Sequence, residues 1–275
     1  MKIRHSLFAV LMMAASPAFA FDMPPPVDAP EYTGTISGVG GWYIRGDLGY
    51  NASLDAGKPQ WDDYNRGSSD YSSVKFDSAR LGEDFGLTAG GGYQFSDYLR
   101  SDLTLDYFKA DFEGTSMKNS RCSAAQLSST KCGYSHDSSM AALGLLANAY
   151  VDVGTVWGIT PYVGAGLGTT NIDWKSTTTS QRCVGNNCDK GVKYRDEINE
   201  GIESWRFTYA LMAGFSYDVA AHTKLDLGYR FSQIGGGDMM DYSEKDQKAG
   251  AKNAKGKDDG FGRHEIRAGL RFTTW

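Results

Sequence analysis

Residues 204–232, SWRFTYALMAGFSYDVAAHTKLDLGYRFS, decide the fold. Trp205, Phe207, Tyr209, Leu211, Ala213, Phe215, Tyr217 and Val219 form an apolar row at every second position. Arg206, Thr208, Ala210, Met212, Gly214, Ser216 and Asp218 stand between them. A period of two belongs to a strand whose faces meet different surroundings. After Ala221 and His222 the pattern resumes. Thr223, Leu225, Leu227, Tyr229 and Phe231 face one way, and Lys224, Asp226, Gly228, Arg230 and Ser232 the other. Soluble sheets alternate too, so length and charge must separate the cases. These strands run to about a dozen residues or more, where soluble strands average about five or six. Their polar face carries full charges in mid-strand, and aromatic residues bracket the apolar row. That combination marks a membrane-crossing strand of a β-barrel.

The start of the chain agrees with export. Residues 1–20 read as a secretory signal peptide, with Lys2 and Arg4 ahead of an apolar core and Ala18-Phe19-Ala20 as the cleavage site. The core is about half the roughly 20 residues that a spanning helix needs. Residues 21–41, with Pro24, Pro25, Pro26 and Pro30, form an extended periplasmic leader. Residues 42–275 form the barrel. A net charge of -5 with interspersed signs argues against nucleic-acid binding.

Eight alternating segments are expected, at 42–50, 85–95, 98–112, about 140–152, 161–174, 204–219, 223–232 and 263–275. The turns between them at 96–97, 154–159 and 220–222 are short. The stretches at 52–84, 113–139, 175–203 and 233–262 are long and polar. Outer-membrane barrels have short periplasmic turns and long surface loops, so both termini are expected in the periplasm. The fold class is all-β, an eight-stranded antiparallel up-and-down transmembrane barrel.

The stretches Gly41-Trp42-Tyr43-Ile44-Arg45-Gly46-Asp47-Leu48-Gly49-Tyr50, Leu225-Asp226-Leu227-Gly228-Tyr229-Arg230-Phe231 and His264-Glu265-Ile266-Arg267-Ala268-Gly269-Leu270-Arg271-Phe272 resemble the eight-stranded outer-membrane barrel superfamily. That superfamily includes the OmpA transmembrane domain, the opacity proteins and the porin-like surface antigens of alphaproteobacteria. The resemblance implies a cell outer-membrane location among lipid and lipopolysaccharide, insertion by the barrel-assembly machinery, and a host or environmental surface ligand for the loops. Members usually end on a lipid-facing aromatic. Here Thr274 takes that place and Trp275 falls out of phase, so either a bulge re-aims Trp275 or Phe272 serves instead.

The inward charges are the strongest polar feature: Arg45, Asp47, Arg100, Asp102, Asp106, Arg206, Asp218, Lys224, Asp226, Arg230, Glu265, Arg267 and Arg271. An eight-stranded barrel is just wide enough for side chains to fill it. Charges held there must pair, because an unpaired buried ion costs several kcal/mol. The expectation is an ion-paired plug, and the rival is a narrow polar path for small solutes. Arg45-Gly46-Asp47 spells an integrin-binding tripeptide, but both charged residues point into the lumen.

Cys122 and Cys132 share one loop, and Cys183 and Cys188 another. An even cysteine count in an exported chain points to disulfides; of the three connectivities open to four cysteines, pairing within each loop is favoured because those sulfurs are closest in sequence. A four-cysteine zinc site is the rival, and neither spacing is the usual C-x2-C. His136-Asp137-Ser138-Ser139 lies in an expected loop, where adjacent residues do not assemble a nucleophile, base and orienter. His136 and His264 are expected as solvated histidines near the outer rim, and the resemblance to haemin-binding relatives is the rival. Glycines at 164, 166 and 168 lack the following helix of a nucleotide loop and make room for bulky lumen neighbours. Residues 245–260 read as mobile and exposed. No enzyme activity and no cofactor are expected. The function expected is an envelope and surface-contact protein, with a small porin-like channel as the alternative.

Overall fold

The computed structural model describes residues 40–82 and 85–274. The signal peptide, nearly all of the proline-rich leader and Trp275 lie outside the described residues. In chain order the elements are β1 (Gly41–Asp55), β2 (Gln60–Asn65), β3 (Asp70–Lys75), β4 (Ser78–Leu81), β5 (Phe85–Gln94), β6 (Leu99–Lys118) and β7 (Lys131–Asp152). They continue with β8 (Ile159–Trp174), β9 (Thr177–Val184), β10 (Glu197–Asn199), β11 (Glu203–Ala220), β12 (Thr223–Asp241), the short helix α1 (Glu244–Lys248) and β13 (Ala254–Thr273). No described helix is long and apolar enough to cross a membrane.

The long strands β1, β5, β6, β7, β8, β11, β12 and β13 form the wall. Each pairs antiparallel with its neighbours in that order. β13 pairs back onto β1, with Leu48 opposite Ala268 and Tyr50 opposite Ile266, so the circuit closes. Closure pairs the backbone groups of every wall strand on both sides, the condition for a sheet in lipid. The short strands β2, β3, β4, β9 and β10 attach to one end of this circuit.

The alternation runs further than the polarity. On β6, Leu99, Leu103, Leu105 and Tyr107 are exposed while Arg100, Asp102, Thr104 and Asp106 are buried. From the next residue the chemistry inverts. Phe108, Ala110 and Phe112 are buried, and Lys109, Asp111 and Glu113 are exposed. On β13, Lys257 and Asp259 are exposed and Phe261 is buried, whereas Ile266, Leu270 and Phe272 are exposed beside buried Glu265, Arg267 and Arg271. An outer face that changes from apolar to charged leaves hydrocarbon for water at that level. Rims of aromatic residues bound the apolar belt. Trp42 lies opposite Tyr93 at one edge, and Tyr50 opposite Phe85 at the other, as interfacial girdles do.

This inversion corrects the expected loops at 113–139 and 233–262. β6 continues to Lys118 and β7 begins at Lys131, so His136, Asp137, Ser138 and Ser139 are strand residues and not loop. β12 runs to Asp241 and β13 starts at Ala254. Residues 245–260 hold α1 and the start of β13, with Lys255 and Asp258 buried rather than exposed. Strand pairing stabilises these extensions beyond the belt, where a polar outer face is the favourable one.

Candidate functional site

The lower lumen is an ionic lattice. Arg45 bonds Asp47 at 2.7 Å and Asp102 at 3.2 Å. Its Nη1 also donates to the Tyr150 hydroxyl at 3.1 Å, and Asn148 donates to Asp102 at 2.7 Å. Arg100 meets Asp152 at 3.1 Å, and its guanidinium lies over the Tyr150 and Tyr162 rings at 4.0 and 4.8 Å. Arg271 reaches Asp226 at 3.1 Å, and the Ser216 hydroxyl donates to the same carboxylate at 2.5 Å. Asp106 faces Arg263 at 3.0 Å and Arg230 at 3.2 Å, and accepts from Thr88 at 2.6 Å. Glu265 meets Arg263 at 3.1 Å, and Arg267 lies 3.8 Å from both Asp47 and Glu265.

Six arginines (45, 100, 230, 263, 267 and 271) thus face six carboxylates (Asp47, Asp102, Asp106, Asp152, Asp226 and Glu265). All the cations are Arg. Its planar fork serves several acceptors at once and stacks on rings, which Lys cannot do. Room for this packing comes from glycine. A Cβ on Gly164 would sit 2.5 Å from the Tyr150 ring, and one on Gly228 would sit 2.5 Å from the Tyr162 hydroxyl. The void at the centre, lined by Arg45, Tyr150, Tyr162 and Arg267 among others, measures about 10 Å³. That is room for no more than about one water.

Two of the expected lumen residues lie elsewhere, and a third faces inward and is ion-paired but stands apart from this lattice. Asp218 and Lys224 pair with each other at the exposed turn between β11 and β12. Arg206 is buried toward the end away from the short turns, where its Nη1 donates to both Asp258 oxygens at 2.7 and 2.8 Å. Sequence reasoning places Asp152 inside, with Asn148 and Tyr150, but leaves it out of the charged set, and it misses Arg263. Both sit in phase with inward neighbours, Tyr150 and Glu265, so the period-two signal was present. Asp258 was hidden in a stretch whose composition resembles a mobile loop.

Above the lattice lies an apolar layer that includes Phe108, Phe112, Met140, Ile172, Trp174, Ile234 and Phe261. The Trp174 ring meets Phe112 and Phe261 at centroid distances of 5.7 and 6.0 Å. An ionic lattice and an apolar layer therefore lie in series along the barrel.

Beyond this layer the extensions form a cap. Cys122 is bonded to Cys132 and Cys183 to Cys188, which leaves no thiolate for zinc. Cys132 and Cys183 are register partners on β7 and β9, so the two bridges stand side by side. His136 is 1% exposed and not solvated. Trp61 donates to the Ser116 hydroxyl at 3.1 Å, and Ser116 lies 3.2 Å from His136 Nε2. Thr179 Oγ1 lies 3.0 Å from Nδ1, and the Phe76 ring packs on the imidazole at 4.8 Å. Burial, with a smaller contribution from Lys255, lowers its pKa to about 4. His264 stands on the outer face, half-buried, 2.5 Å from the Tyr229 hydroxyl. A polar cavity of about 410 Å³ opens between the β2–β3 turn and α1, lined by Tyr64, Arg66, Glu197, Tyr242, Asp246 and Lys255 among others. Its charged groups pair locally, Arg66 with Asp246 and Lys255 with Glu197, both at 2.7 Å.

Residues 6–272 match the profile of the family described as outer membrane protein beta-barrel domain. An uncharacterized protein of Brucella abortus (strain 2308) is 39% identical over 251 residues, covering 85% of each chain. A second, of Brucella melitensis biotype 1, is 39% identical over 255 residues with the same coverage. Among solved structures, Neisserial surface protein A aligns at 16% identity and a TM-score of 0.40, covering 84% of this chain and 96% of that one. Outer membrane protein OprG from Pseudomonas aeruginosa aligns at 18% identity and a TM-score of 0.40, covering 85% and 96%. With its closed circuit of eight strands, its apolar belt and a family match over nearly its whole length, this chain belongs to the outer membrane protein beta-barrel domain family.

Proposed function

We propose that this protein is a sealed, non-enzymatic barrel that anchors a rigid surface-contact structure on the outside of the cell. The observation that carries this reading is the double closure of the lumen. The lattice leaves a void of about 10 Å³, and the apolar layer lies across the axis above it. Gly41 and Thr273 lie at the end of the barrel that carries the short turns, which we place in the periplasm. The strand extensions, the paired disulfides and the cavity between β2 and α1 lie at the opposite, extracellular end. The non-enzymatic part is supported by His136, whose two ring nitrogens are held by Ser116 and Thr179 inside the cap.

Planar bilayer recording tests this function. The refolded protein is expected to give no steady current steps, because a permeating ion would have to part several Arg–carboxylate pairs and then cross the apolar layer. Reproducible ion-selective steps would instead establish the channel reading.

A further inference from the structure

We infer that the disulfide-braced tip of the cap is a docking surface for a linear sulfated polysaccharide. The inference rests on the surface-contact reading above and supplies the chemistry of the partner.

Two loops meet at the tip, residues 119–130 after β6 and 185–196 after β9. Their backbones are held together. Gln126 donates to the Asp189 carbonyl at 3.0 Å and to the Tyr194 hydroxyl at 2.8 Å, and its own carbonyl accepts from the Asp189 amide at 2.9 Å. The two disulfides fix the bases of the same loops. This frame presents six exposed cations: Arg121, Lys131, Arg182, Lys190, Lys193 and Arg195. Among the described residues none of the six makes an ion pair, in contrast to Lys118 and Lys255 elsewhere in the cap, which are bound to Asp63 and Glu197. Within the two loops stand four of these cations, Arg121, Lys190, Lys193 and Arg195, against two carboxylates, Asp189 and Asp196. Arg182 lies opposite Gly133 and Lys131 opposite Val184, so these two cations share one face of the β7–β9 pair. Arg121 is brought beside them by the Cys122–Cys132 bridge, with 4.7 Å between the Cα atoms.

A patch this basic on a chain of net charge -5 is a local feature with a field of its own. Its position selects the kind of anion. Lys118 lies about eleven residues beyond Tyr107 on β6. At ~3.3 Å per residue and a tilt near 40°, the tip stands roughly 25–30 Å outside the belt. Phosphates of the membrane surface lie below that level. Its composition also selects. The tip offers no exposed aromatic ring on which bases could stack, since Tyr194 is partly buried and engaged by Gln126. Single-stranded nucleic acid relies on such stacking. A sulfated sugar chain needs only charge and hydrogen-bond donors, and Arg and Lys supply both.

The test uses the full chain refolded in detergent micelles, with immobilised heparin as the probe. Saturable binding is expected, weakening as salt rises. The triple variant Lys190→Glu, Lys193→Glu, Arg195→Glu should bind at least tenfold more weakly. Its log-affinity against log-salt slope should be shallower by roughly two, from about 0.7 per lost contact. An unchanged heat-modifiability shift on a gel would show that the variant still folds. Absence of heparin binding at low salt, equal binding by the variant, or tighter binding to an oligonucleotide or to lipopolysaccharide would each overturn the inference. Current steps in the bilayer recording would overturn the anchor reading instead, so the two failures are distinguishable.

Discussion

Replacing Asp106 with alanine is expected to destabilise the folded barrel by about 3–5 kcal/mol, the usual cost of leaving a buried charge without its partner. Asp106 is the acceptor on which Arg230 and Arg263 converge at 3.2 and 3.0 Å, with Arg267 4.0 Å away. Without it Arg230 and Arg263 are left to share Glu265, which is already 3.1 Å from Arg263, while Arg267 keeps Asp47 at 3.8 Å. Asp106→Asn keeps an acceptor for Thr88 and should cost less. Asp218→Ala is the control, since its pair with Lys224 is half in water, and exposed pairs contribute about 0–1 kcal/mol. Urea titration of the three variants in lipid vesicles provides the comparison. Equal losses for Asp106→Ala and Asp218→Ala would mean that the lumen charges are solvated, as in a water-filled path.

Acidification should loosen the cap while the barrel stays closed. The His136 pKa is lowered to about 4 in the folded cap, against an ordinary value near 6.5. The unfolded segment therefore takes up a proton below about pH 6.5, and the folded one resists until about pH 4. The stability linked to this group is intact above that window and is lost as pH falls through it, by roughly 3 kcal/mol. A second proton on the imidazole also places a cation near Lys255. Hydrogen exchange of the β7 and β9 amides at residues 131–137 and 178–184 should quicken between pH 7 and pH 4.5. His136→Phe, which keeps a flat ring against Phe76 and Trp61, should show the same exchange at both pH values after correction for intrinsic rates. Quickening that persists in the variant would assign the effect to other groups.

The wall was legible in the sequence because lipid imposes a strict rule on each strand. Trp205 through Val219, and Ile266 through Phe272, must be apolar at every second position, and no loop or soluble strand needs that for so long. The inward charges were legible for the same reason. Their exact partners were not, because pairing depends on barrel register. Asp152 and Arg100 lie on neighbouring strands, and Asp106 and Arg263 meet across the lumen. The cap was largely hidden. Above Tyr107 the strands are built as in a soluble protein, with Phe108 and Phe112 inside and Lys109 and Asp111 outside. Read in the phase of the barrel, that pattern imitates the end of a strand. For this reason His136 reads as a loop residue, and residues 245–260 read as mobile because Lys, Asp, Gly and Ala dominate them. The burial of Lys255 and Asp258 depends on Glu197 and Arg206, partners remote in sequence.

The change of polarity along the strands is the central claim, and spin-label accessibility along β6 tests it most directly. Single cysteines introduced as Leu103→Cys, Leu105→Cys, Lys109→Cys, Asp111→Cys and Glu113→Cys would be labelled in protein reconstituted into vesicles. Labels at 103 and 105 should collide mainly with oxygen dissolved in lipid, and those at 109, 111 and 113 mainly with a water-soluble nickel chelate. A label at 103 or 105 as open to the chelate as that at 111 would contradict a membrane belt below Tyr107.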